Sequence, residues 1–111
     1  MRIHELARSA GFEVVQGEAT DGEIAAGYAS DLLSDVMAHA PADSVLVTIQ
    51  AHKNTIAVAT LAGIRAIVVC NGRAVPDDMF AAAREQRVAI WRSAENQFTV
   101  SHRLFSLLHP A

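Results

Sequence analysis

Residues 44–93 constrain the fold of this chain more than any other stretch. They read strand, helix, strand, helix, strand, with a polar break after each strand. Val45-Leu46-Val47-Thr48-Ile49, residues 64–69 and Val88-Ala89-Ile90-Trp91 are nearly all apolar and rich in β-branched side chains, as strands covered on both faces must be. Residues 55–62 and 77–86 between them are helix-like. Gly63 ends the first of these helices. Pro76 opens the second at its first position, where a missing N–H costs nothing. Right-handed crossovers make the three strands parallel. The breaks Gln50-Ala51-His52-Lys53-Asn54, Asn71-Gly72-Arg73 and Ser93-Ala94-Glu95-Asn96 then share the carboxyl edge of a sheet, where this architecture places its ligands.

The flanking segments complete the expectation. Ile3, Leu6, Ala7 and Ala10 recur at the spacing of a surface helix over residues 2–10, which Gly11 stops. Residues 12–15 and 24–29 read as short strands separated by a polar loop over 17–22. Ser30 is expected to cap a helix whose buried stripe is Leu32, Leu33, Val36 and Met37, with Asp31 and Asp35 off that stripe and Pro41 as its end. A last helix covers residues 98–108, with Val100, Leu104, Leu107 and Leu108 on one face and Pro110 after it.

With 111 residues, the length suits one domain over 1–111 with one core. Five per cent aromatic content leaves that core to Ala, Val, Ile and Leu, the filling of a small α/β layer structure. A formal charge of −3 and no Lys/Arg-rich run argue against nucleic-acid binding. The N-terminus lacks the apolar core of a signal peptide, and no apolar run approaches the roughly 20 residues that span a bilayer, so a cytoplasmic protein without membrane association is expected. Cys70 is the lone cysteine and follows an apolar run, which makes it a buried or half-buried thiol without a disulfide partner. The five histidines, His4, His39, His52, His102 and His109, fall on different elements and lack zinc-ligand spacing, so no metal is expected.

Two segments carry unusual polar content. In residues 48–54 a strand runs straight into a helix start, whose open backbone N–H groups suit a phosphate or carboxylate. His52 and Lys53 could add charge there, Gln50 or Asn54 could read a ligand edge, and the backbone N–H groups near His52 to Thr55 would hold its anionic part. The plain alternative is that Asn54 caps the helix while His52 and Lys53 face solvent. In residues 27–35, Asp31 and Asp35 suit acid/base work or a cation, or else a cap plus a solvated helix face. Ser30 lacks the elbow motif of a nucleophile. Asn71-Gly72-Arg73 looks like a turn needing a positive-φ glycine, with Arg73 either clamping an anion or simply exposed. No phosphate loop or dinucleotide fingerprint is present, and no cofactor is expected.

These blocks carry a family resemblance. Residues 27–37, residues 47–59 and residues 66–73 together make the chain resemble the DRTGG domain family in its short, stand-alone form, over about residues 14–108. It departs from the name-giving residues: His52-Lys53 stands in place of the Asp-Arg pair, and Cys70-Asn71-Gly72 in place of Thr-Gly-Gly. The resemblance implies a layered α/β/α sandwich with a mostly parallel sheet, similar to the N-terminal domain of HPr kinase/phosphorylase but without the kinase domain. It further implies a regulatory or dimerisation module of the kind found beside CBS domains in regulated pyrophosphatases. Stand-alone relatives encoded near iron hydrogenase components suggest a protein partner in redox or energy metabolism.

The expectation is therefore a non-catalytic ligand-sensing module, forming a homodimer and taking a small anionic ligand such as a nucleotide. Ser30, Asp31, Gln50, His52, Asn54, Thr55, Asn71, Gly72 and Arg73 would line its site. Two alternatives stand beside it. One is a small enzyme for a phosphorylated metabolite, with His52 as acid/base and Asp31 or Asp35 as its partner. The other is a structural adaptor without a small ligand.

Overall fold

The computed structural model describes residues 1–110. Along the chain run α1 (Ile3–Ala10), β1 (Glu13–Gln16), β2 (Ala26–Ala29), α2 (Leu33–His39), β3 (Ser44–Thr48), α3 (Lys53–Ala62), β4 (Ala66–Val69), α4 (Asp77–Gln86), β5 (Ala89–Arg92) and α5 (Gln97–Leu108). The five strands form one sheet in the order β1-β5-β4-β3-β2. Strands β2 to β5 are parallel, and β1 joins β5 antiparallel with a register shift between Val14 and Gln16. This is the mostly parallel α/β/α sandwich expected from the sequence.

The central strands are buried along their whole length, because each face is covered by helices. Side chains alternate along a strand. Val45, Val47, Ala66, Val68, Ala89 and Trp91 meet α1 and α5 on one face. Leu46, Ile67, Val69 and Ile90 meet Val36, Ile56, Ala59, Met79 and Ala83 of α2 to α4 on the other. Trp91, the largest core side chain, lies 6.0 Å from the Phe12 ring.

Several local expectations are corrected. Ser30 does not cap α2. The residue before the helix is Leu32, and the Ser30 hydroxyl accepts the Leu32 N–H at 3.2 Å in a turn ahead of it. Only Val36 of the expected α2 stripe is buried, while Leu32 and Met37 are exposed. α2 begins at Leu33, two residues later than a Ser30 cap would place it, because Asp31 is bonded to the end of β3 instead. Asn54 does not cap α3; the His52 ring does, accepting the Asn54 N–H through Nδ1 at 3.1 Å. Pro76 sits just before α4 in extended geometry rather than inside it. The second short strand starts at Ala26, since Ile24 is paired outside it with Met1.

Candidate functional site

All four parallel strands deliver their carboxyl ends to one edge. β2 runs into Ser30 and Asp31, β3 into Ile49 and Gln50, β4 into Cys70 and Asn71, and β5 into Ser93. The edge is stitched by backbone bonds: Cys70 N–H to the Thr48 carbonyl at 3.0 Å, Ser93 N–H to Val69 at 3.0 Å, Asn71 N–H to Glu95 at 2.9 Å and Gly72 N–H to Ser93 at 2.8 Å. The nine residues singled out in the sequence thus gather on this edge or in the first turn of α3 beside it.

Asp31 is the hub. Its Oδ1 accepts the Thr48 hydroxyl at 2.9 Å, the Ile49 N–H at 2.9 Å and the Gln97 amide at 3.1 Å. Its carbonyl accepts the Gln50 side-chain amide at 2.8 Å. One residue thereby ties the end of β2 to the end of β3 and the start of α5. Thr55 is buried and donates its hydroxyl to the Gln50 carbonyl at 2.8 Å.

These bonds divide the candidates into two sets. Ser30, Asp31, Gln50, His52 and Thr55 are engaged with other parts of the chain, Gln50 through its side-chain amide N–H. The backbone cradle is also largely filled: the N–H groups of Ile49, Gln50, Ala51, Asn54 and Thr55 all have protein partners. By contrast, the side chains of Asn54, Asn71 and Arg73 are exposed and make no hydrogen bond among the described residues, as is true of Lys53. Neither Lys53 nor Arg73 is ion-paired there, whereas Arg65, Arg84, Arg92 and Arg103 each have a carboxylate partner. A groove of about 370 Å³ between α3 and α4 reaches Lys53 and Asn54.

The turn after β4 has the conformation its sequence demands. Asn71 and Gly72 both lie in the left-handed region, at φ 61° and 63°. Gly and Asn are the residues that enter it most readily. β4 and β5 are neighbours, yet the chain leaves them toward opposite faces, into α4 and α5. Such a reversal opens a crevice in many open α/β sheets. Here the Asn71–Glu95 and Gly72–Ser93 backbone bonds span the gap between the two strand ends, and the side chains of Asn71 and Arg73 lie exposed outside it.

Cys70 is fully buried beneath the edge. Burial, reinforced by the nearby Asp31 charge, pushes its thiol up to about 11. A thiol that stays protonated at neutral pH is a poor nucleophile. The acid/base pairing considered in the sequence is not formed either. His52 holds the Asn54 amide, Asp31 holds its three donors, and Asp35 accepts the Tyr28 hydroxyl at 2.8 Å and faces the His39 ring at 3.1 Å. The Tyr28 hydroxyl holds the Asp35 carboxyl below its ordinary range, and Asp35 in turn raises the Tyr28 phenol.

Sequence reasoning missed Thr48, Gln97 and Arg92. Arg92 ends β5, donates from Nη2 to the Gly72 carbonyl at 2.9 Å, and buries its Nε with no partner among the described residues. The one visible signal was a charged residue closing an apolar run. Gln97 lies 66 residues from the aspartate it holds, a pairing that no local pattern announces.

No protein-family model matches the sequence, and no curated protein matches it. Among solved structures, the chain is similar to the CBS and DRTGG domains of the regulatory region of a Clostridium perfringens pyrophosphatase, crystallised with its activator diadenosine tetraphosphate. The TM-score is 0.71 at 9% sequence identity, over 92% of this chain and 45% of that one. This chain thus spans less than half the length of that region. At this identity the likeness is one of fold, and it fits the DRTGG-like architecture expected from the sequence.

Proposed function

We propose that this chain is a non-catalytic regulatory module, one domain over its whole length, that senses a small anionic ligand at the carboxyl edge of its sheet and self-associates. The observation that carries the reading is the set of uncommitted polar groups on that edge. Lys53 and Arg73 lack carboxylate partners among the described residues, and the Asn54 and Asn71 side chains stand free beside them. Exposed cations without internal partners suit a phosphate or carboxylate, and the two amides suit the polar rim of a nucleotide. Asp31, Gln50, His52 and Thr55 hold the loops that present these groups. The similar fold in a regulatory region solved with a nucleotide activator supports a sensing role.

Thermal-shift measurements against nucleotides and acyl phosphates test this reading. Binding to the folded state raises apparent stability by about 2.7 kcal/mol at a hundredfold excess over Kd. We expect a nucleotide or acyl phosphate to raise Tm, the rise to shrink with added salt, and Lys53→Ala with Arg73→Ala to abolish it. Silence across the panel favours the adaptor without a ligand. Turnover of an acyl phosphate that Lys53→Ala and Arg73→Ala leave intact would favour the enzyme.

A further inference from the structure

We infer that Arg92 is the buried anchor of the ligand edge. It takes the terminal phosphoryl group of an anionic ligand once the Gly72–Arg73 peptide turns its carbonyl away. This rests on the anion sensing in the proposed function and names the group that is sensed.

Arg92 ends β5 at the carboxyl edge, in register with Val69 of β4 and Glu13 of β1. Its guanidinium is only partly satisfied. Nη2 donates to the Gly72 carbonyl at 2.9 Å. Nη1 lies 3.7 Å from the Glu13 carboxylate, beyond hydrogen-bond length. Nε is buried with no partner, the only buried side-chain nitrogen or oxygen so placed among the described residues. An unpaired buried donor is costly, more so on a charged group, and calls for an explanation.

The N–H bonds of Nε and Nη2 lie side by side along one edge of the guanidinium. This is the fork that meets a phosphate or carboxylate through two parallel bonds. A neutral carbonyl faces it instead, and its oxygen serves one prong alone. The mismatch defines the fitting partner as an oxyanion with two free oxygens. Arg73, exposed and without a carboxylate partner among the described residues, adds a second positive charge beside the turn. Two cations favour a phosphoryl monoester, of charge about −1.5 to −2, over a singly charged carboxylate.

The turn over the fork is built to move out of its way. The N–H groups of Asn71 and Gly72 are held by the carbonyls of Glu95 and Ser93, at 2.9 and 2.8 Å. The next peptide is held less firmly. Besides its carbonyl bond to Arg92, it has only the Arg73 N–H, 3.4 Å from the Cys70 carbonyl. Rotating the Gly72–Arg73 peptide breaks those two bonds and leaves the bonds to Glu95 and Ser93 in place. A Cβ built on Gly72 would meet nothing nearer than 3.9 Å, so the backbone has room. Gly72 has φ 63°, and the rotated form joins that positive φ to an extended ψ, a combination that essentially only glycine adopts. Rotation aims the Arg73 N–H at Arg92. Two donors face each other stably only with an anion between them, so the ligand itself holds the turn open. Only the end of a ligand fits beneath such a turn, which selects a terminal phosphoryl group over a diester.

Heteronuclear NMR of the full chain tests the inference, with inorganic phosphate, acetyl phosphate and adenosine monophosphate as probes and cyclic adenosine monophosphate as the diester control. We expect a probe that binds to shift the Arg92 Nε–H and the Arg73 amide together, and the diester to leave both unmoved. Arg92→Lys keeps the charge and loses the fork. Gly72→Asn keeps the left-handed turn and blocks its rotated form. Each should weaken affinity about tenfold. A probe that binds the parent chain without moving either resonance, or binds both variants with parental affinity, overturns the role of Arg92 and leaves Lys53 and Arg73 as the anion site. An equal response to the diester overturns the choice of a terminal group. A parent chain that binds none of the three probes overturns the inference, and the thermal-shift panel then decides the wider reading. The resonance test uses the unaltered chain, so it stands even if a variant unfolds.

Discussion

At Asp31, three donors from two distant parts of the chain converge on one carboxylate oxygen. Thr48 is buried, so removing its acceptor strands a hydroxyl that water cannot easily reach. A stranded buried donor costs about 1–3 kcal/mol. We expect Asp31→Ala to lower the unfolding free energy by about 3 kcal/mol. Asp31→Asn keeps an oxygen acceptor and should lose about 1 kcal/mol, and urea denaturation at neutral pH separates the two. Cys70 gives a pH dependence of definite sign. Its folded thiol titrates at about 11 rather than the ordinary 9.0, so the unfolded chain loses its proton first. The stability tied to this group is complete below pH 9, falls as pH rises, and is gone once pH passes 11. The urea midpoint should therefore decline across that window, and decline less steeply in Cys70→Ala.

Among the elements, the central strands were legible because they are covered on both faces, which leaves an unbroken apolar signature. Helix α1 was legible because Ile3, Leu6, Ala7 and Ala10 share a face, and all four are buried. Helix α2 was misread because Ser30-Asp31 has the local signature of a cap, while Thr48, Ile49 and Gln97 compete for the same carboxylate from a distance. Candidate site residues were legible as a group, since strand ends fall together in a parallel sheet. Their division into engaged and uncommitted side chains was not, because it depends on contacts between loops. Helix α3 shows the same limit: His52 rather than Asn54 supplies its cap. The ring accepts through a lone pair, so His52→Asn should stay within about 0.5 kcal/mol of the parent, whereas His52→Ala should lose about 1 kcal/mol. Chemical denaturation of the pair distinguishes a capping role from a solvated histidine, for which the two variants would be alike.

Over the whole molecule, one uninterrupted sheet separates two apolar layers, and the candidate site lies on the sheet's edge rather than inside either layer. The exposed side chains of that edge can therefore change without disturbing the core, as suits a fold whose members need not share a ligand. The order of the elements has a further consequence. The first strand pairs only with the fifth, and the first helix packs against the last. Growing from the ribosome, the opening segments must wait for the closing ones, and the hydrophobic face of Ile3, Leu6 and Phe12 lacks its cover until residues near Val100 and Leu104 emerge. Such long-range closure is slow, and apolar surface left uncovered in the meantime is prone to aggregate.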